Sequence, residues 1–121
     1  MLMKGRDLCG GYVTKKHLGL SIIKSDFGQK IHLSPDLLEE LGNPSYVELL
    51  IRARSIWIVP SSTGFAIKSN GMIYNTHFVN KLVKEFSLNF TKSSLRFKHV
   101  RIRSENARKY AEVIIVTFFD G

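Results

Sequence analysis

Residues 28–42, GQKIHLSPDLLEELG, hold a strand, a helix cap, two helical turns and a glycine stop in a stretch too short to bury a core of its own. The Ser34 hydroxyl suits a free amide of the first helical turn, Pro35 fits the first helical position, and Asp36 complements the helix dipole. Leu37, Leu38 and Leu41 then share one side, Glu39 and Glu40 lie elsewhere, and Gly42 stands where a left-handed stop is easiest. Whatever covers that leucine stripe has to come from other parts of the chain.

The flanks supply candidates. LSIIKS reads as a strand, Asp26–Gly28 as a turn, and KIHLS alternates Ile31 and Leu33 against Lys30, His32 and Ser34, so a hairpin is expected. After the turn NPS, YVELLIRARSIWIVP gives two strands, with Val47, Leu49 and Ile51 on one face of the first and Ile56 and Ile58 on one face of the second. Arg52 to Ser55 make their turn, and Pro60 is expected to end the unit. Further on, Gly71 precedes MIYN. Asn75 or Thr76 caps a helix holding Phe78, Leu82, Val83 and Phe86, and KHVRIRS and AEVIIVTFF read as two more strands. The order strand, helix, strand, strand thus occurs twice, about 45 residues apart. This predicts an α+β, mostly β fold: an irregular arm at 1–18, then two diverged β-α-β-β units, 19–60 and 61–121, covering one another as one domain.

Composition agrees with a packed chain. Of 121 residues, 44% are hydrophobic and 23% charged, which excludes the polar profile of a disordered segment. Cys9 is the only cysteine, so neither an intramolecular disulfide nor a thiolate metal cluster is available, and a reducing cytoplasm is the simplest setting. No stretch approaches the roughly 20 apolar residues of a membrane span, and the start lacks the apolar run of a signal peptide, so no membrane association is expected.

Residues 19–60 resemble the AbrB-type swapped-hairpin fold of transition-state regulators, MraZ-like proteins and many antitoxins. GLSIIKSDFGQKIHLSPDLLEELGNPSYVELLIRARSIWIVP is similar to that family's strand, aliphatic-Gly-basic turn, strand running into a Pro near the helix start, Leu-rich helix with its Leu-Gly stop, and closing hairpin. Phe27–Gly28 and Leu41–Gly42 are the best matches. The resemblance implies a swapped-hairpin-like or barrel-like domain, an intertwined dimer or its internal equivalent, and DNA binding. The departures bear on function: where DNA-binding members place Arg or Lys, this chain has Ile22, Ile23, Gln29, Leu38 and Glu39, with only Lys24 and Lys30 nearby.

Charge points to the other half. Eighteen basic against ten acidic residues give a net +8; residues 1–60 carry eight and six (+2), residues 61–121 ten and four (+6). Such an excess favours a polyanion or an acidic protein face. Read as one strand, KHVRIRS turns Val100 and Ile102 to the core and His99, Arg101 and Arg103 to solvent, about 7 Å apart. A stripe of like charges is unfavourable without anions nearby, and guanidinium groups suit bidentate contact with phosphate or carboxylate. Lys92, Arg96, Lys98, Arg108 and Lys109 widen this patch, with Lys81 and Lys84 on the preceding helix facing the same way. A protective charged strand edge is the competing, non-functional explanation.

Trp57 points away from Ile56 and Ile58, which suits a second small core or an interface anchor more than a base-stacking platform, with Arg52 and Arg54 at the adjoining hairpin tip. His17, His32, His77 and His99 are too scattered to suggest a metal site, CGGY lacks a phosphate cradle, and Glu39–Glu40 point about 100° apart, so neither enzyme chemistry nor a cofactor is expected. The leading expectation is a cytoplasmic regulator that contacts duplex DNA through a basic β-surface. The rival is a phage or mobile-element inhibitor that binds an acidic face of a host protein or nucleoprotein, with an antitoxin role ranked lower. A homodimer is compatible with either.

Overall fold

The computed structural model describes residues 16–26, 28–89 and 94–115. The arm before Lys16, Cys9, Phe27, Lys92 and the last residues of AEVIIVTFF therefore lie outside the described residues. Among those described, nine strands and two helices run in the order β1 (Leu20–Ser25), β2 (Gly28–Leu33), α1 (Pro35–Glu40), β3 (Tyr46–Ile51), β4 (Ser55–Ser61), β5 (Phe65–Ala66), β6 (Met72–Tyr74), α2 (Thr76–Glu85), β7 (Ser94–Phe97), β8 (Val100–Glu105) and β9 (Arg108–Ile114). The fold is α+β and mostly β, built on two antiparallel sheets of order β6-β2-β1-β7 and β5-β3-β4-β9-β8.

The opening segment forms as its residues dictate. Ser34 is extended and its Oγ accepts from Leu37 N–H at 3.3 Å, Pro35 begins α1, and Leu37 is fully buried. At the other end Gly42 takes φ +83° and donates to the Glu39 carbonyl, while Asn43 N–H donates to the Leu38 carbonyl. These two bonds close the helix by satisfying carbonyls that have no partner within it. Asn75, not Thr76, caps α2, its Oδ1 accepting from Phe78 N–H at 2.8 Å. The β1–β2 hairpin sets Leu20 opposite Leu33 and Ile22 opposite Ile31, and all four are essentially inaccessible to water. Each such side chain contributes about 1.5–3 kcal/mol on burial.

Both sheets draw strands from both halves of the chain. β2 pairs with β6 (Ile31 opposite Ile73), β1 with β7 (Ile22 opposite Leu95), and β4 with β9 (Ile58 opposite Ala111). The inner faces of the sheets and the apolar sides of the helices feed one core, where Leu37 and Leu41 of α1 and Phe78, Val79 and Leu82 of α2 join strand residues such as Ile22, Val47, Ile58 and Val113.

Two expectations need correcting. KHVRIRS is a strand only from Val100, where β8 begins in the five-stranded sheet; Lys98 and His99 precede it and link it to β7, which ends at Phe97 in the four-stranded sheet. Two short strands, β5 and β7, were not foreseen, so the second half does not follow a bare β-α-β-β order. Pro60 stands one residue before the end of β4. It sits inside β4 opposite Val47, beyond the Ile58–Ala111 pair where the ladder to β9 stops, so its missing N–H is not needed there. The Pro60 carbonyl instead accepts from the Arg108 guanidinium at 3.2 Å.

Candidate nucleic-acid interface

Alternation along a strand fixes what each sheet shows to solvent. In the four-stranded sheet, Leu20, Ile22, Ile31, Leu33 and Ile73 face the core, so the opposite face carries a row running Met72–His32–Ser21–Arg96 across four strands. The next row runs Tyr74–Lys30–Ile23–Ser94, with the Lys30 ammonium 5.6 Å from the centre of the Tyr74 ring. No strand residue on this face is acidic. With neighbouring strands about 4.8 Å apart, His32 and Arg96 stand about 10 Å from one another across Ser21.

A wall rises beside that row. Gly19 N–H donates to Ser34 Oγ (3.0 Å), Ser34 N–H to the Gly19 carbonyl (3.0 Å), and His17 N–H to Asp36 Oδ2 (2.7 Å), which lay residues 16–19 along the start of α1. Lys16 is paired with Glu40 farther along the helix. The hydrogen bond from Lys16 holds the Glu40 carboxyl below its ordinary range, and Glu40 in turn raises Lys16 above its own. Between wall and sheet lies an open groove of about 740 Å³, lined by Lys16, His17, Ser21, His32, Arg96 and Lys98 among others. Among the described residues Asp36 is its one acidic lining residue, and that carboxylate already accepts the His17 amide.

The basic residues singled out in the sequence divide between surfaces. Arg96 and Lys98 enter the groove and have no ion-pair partner among the described residues. Arg101 and Arg103 lie exposed on the five-stranded sheet, and Arg103 Nη1 is bound to Glu112 Oε1 at 3.1 Å. Lys109 Nζ lies 3.4 Å from Glu40 Oε1, and Arg108 is engaged with Pro60. His99 is exposed ahead of β8, its carbonyl accepting from Ile114 N–H. Lys81 and Lys84 are exposed on α2 and line neither this groove nor the small pocket around Lys30 and Tyr74.

Lys16, His17 and His32 were missed as groove residues. For His32 there was a signal, since it alternates with Ile31 and Leu33 in KIHLS. His17 and Lys16 arrive only through contacts with Asp36 and Glu40, which no local pattern announces.

At the hairpin tip the Arg52 guanidinium lies over the Trp57 ring, 4.7 Å from its centre, while Tyr110 stacks at 5.0 Å and 32°. Arg54 is exposed, and its carbonyl accepts from Ile115 N–H. Among the described residues no group of three or more His, Cys, Asp or Glu side chains is placed to hold a metal ion, and no helix is long and apolar enough to cross a membrane. Comparison with protein families, curated proteins and solved structures finds no match to this chain.

Proposed function

We propose that this protein is a cytoplasmic DNA-binding regulator that holds the phosphates of duplex DNA in the groove on its four-stranded sheet. The observation that carries the reading is the His32–Ser21–Arg96 row with Lys98 beside it: a concave basic surface on which the Asp36 carboxylate accepts a backbone amide. Arg96 and Lys98 supply charge, Arg96 in bidentate form, and Ser21 and His32 add hydrogen-bond donors beside Arg96. Arg101 adds a contact beyond the β7–β8 junction, whereas Arg103 and Lys109 must first leave Glu112 and Glu40. The AbrB-like reading of residues 19–60 belongs to the same proposal. The succession β1, β2, α1, β3, β4 supports it, as do the pairings of β2 with β6 and β4 with β9, which join the halves of one chain as an intertwined dimer would join two.

The test is binding to random-sequence duplex DNA over a range of salt concentrations. Each phosphate contact removed lowers the slope of log affinity against log salt by about 0.9, so Arg96→Ala/Lys98→Ala lowers it by about 1.8. Arg101→Ala/Arg103→Ala costs about one contact or less, because Arg103 is committed elsewhere. A folded wild-type protein that binds no duplex even at low salt ends this reading and turns attention to an acidic protein partner.

A further inference from the structure

The outer face of the five-stranded sheet is built differently from that of the four-stranded one. Where the latter intersperses Met72, Tyr74 and Ile23 with serines and basic residues, the former sets Leu50, Trp57, Val59, Tyr110 and Ile114 on one face, each only partly covered. A sheet face meant for water alternates to polar residues, and this one does so incompletely. The Trp57 ring already has two close neighbours, the Arg52 guanidinium over it at 4.7 Å and Tyr110 tilted against it at 5.0 Å. Tryptophan, tyrosine and arginine packed together are the composition of protein contact centres.

Charge on this face has a direction. One continuous row reads Leu50–Trp57–Glu112–Arg101 from β3 to β8, and beside it Glu48 pairs with Val59 and Tyr110 with Arg103. Glu112 is taken by Arg103, leaving Glu48 exposed at the β3 side and Arg101 exposed at the β8 side, neither with an ion-pair partner among the described residues. A twofold axis through the β4–β9 pair lays β3 of one copy over β8 of the other, which brings unlike charges together at both ends and the aromatic residues together between them. We infer that this face is where a second copy of the chain packs, Glu48 of each copy lying against the Arg101–Arg103 pair of the other. The groove of each copy, with Arg96 and Lys98, lies on another sheet and stays free in such a dimer, while Arg101 then serves the interface and not DNA, so the inference does not depend on the groove reading. The face spans about four strands at about 4.8 Å and six residues at about 3.3 Å, less than a standard interface occupies, so the association is weak.

Sedimentation equilibrium without DNA, from low micromolar to millimolar protein, tests it. Wild type is expected to be a concentration-dependent dimer, with Glu48→Arg and Arg101→Glu each weakening it roughly tenfold or more through like-charge contact. An equimolar mixture of the two variants restores association, since each then meets its opposite charge on the other. A wild-type protein that stays monomeric throughout overturns the inference. So does a dimer indifferent to both reversals, or variants that remain folded by circular dichroism but do not associate when mixed.

Discussion

Ser34 joins two structures through one oxygen. Its Oγ accepts from Leu37 N–H at the start of α1 and from Gly19 N–H on the groove wall, so Ser34→Ala removes a helix cap and strips the acceptor from a second, buried amide. Loss of a serine cap costs about 1 kcal/mol, and leaving a buried donor unsatisfied costs about 1 kcal/mol or more. The sum is about 2 kcal/mol. For a chain of this size each kcal/mol lowers the melting temperature by about 4 °C, so calorimetry should show a fall of about 8 °C. Hydrogen exchange separates the two parts: the Gly19 amide loses protection beyond what global destabilisation explains. Ser34→Thr keeps the acceptor and should recover most of the loss. A melting temperature within about 1 °C of wild type, or an equal fall for the threonine variant, would show that the shared hydroxyl is not what holds this corner together.

Two glycines share a left-handed backbone but differ in space. A Cβ at Gly71 (φ +78°) meets the Leu33 carbonyl oxygen at 2.6 Å, while one at Gly42 (φ +83°) meets nothing within 4 Å. Gly42→Ala should cost about 1 kcal/mol in urea unfolding and Gly71→Ala clearly more; equal costs would mean that β6 yields without penalty. Ile58→Ala, at a position with no solvent exposure, should cost about 2–5 kcal/mol by the same assay, whereas a loss below about 1 kcal/mol would contradict its place in the shared core. The Lys16–Glu40 pair predicts a pH signature. Glu40 is depressed from 4.5, so its contribution is present above that value and disappears as pH falls through the depressed one; Lys16 is raised from 10.5, so its part is lost only as pH climbs past its raised value. The melting-temperature gap between wild type and Glu40→Gln should therefore close on acidification below 4.5, and a gap constant with pH would count against the pair.

Local chemistry was legible where one residue decides one turn. Ser34, Pro35 and Gly42 announced α1, and Asn75 announced α2, because caps and stops act within a few residues of themselves. The β7–β8 break was not legible, because Lys98 and His99 carry no glycine or proline to mark it and the polar alternation of RFKHVRIRS runs straight through. Arg96 consequently read as the margin of a stripe on Arg101 and Arg103, when it belongs to another sheet. Pro60 marked the end of its unit to within one residue, at a point in β4 that the ladder to β9 does not reach. The groove depended on β1 lying between β2 and β7, a pairing of residues far apart in the chain that periodicity does not encode.

That interleaving governs how the molecule is made. While the ribosome has delivered only the first sixty residues, β1 lacks β7, β2 lacks β6, β3 lacks β5 and β4 lacks β9, so four hydrogen-bonding edges rich in isoleucine and leucine wait for strands not yet synthesised. Closure must bridge long loops, which is slow, and an open edge meanwhile accepts any matching strand, including one from a neighbouring nascent chain. Expression yield should thus respond to translation speed and chaperone supply more than the size of the finished protein suggests, and the first sixty residues alone should accumulate as aggregate.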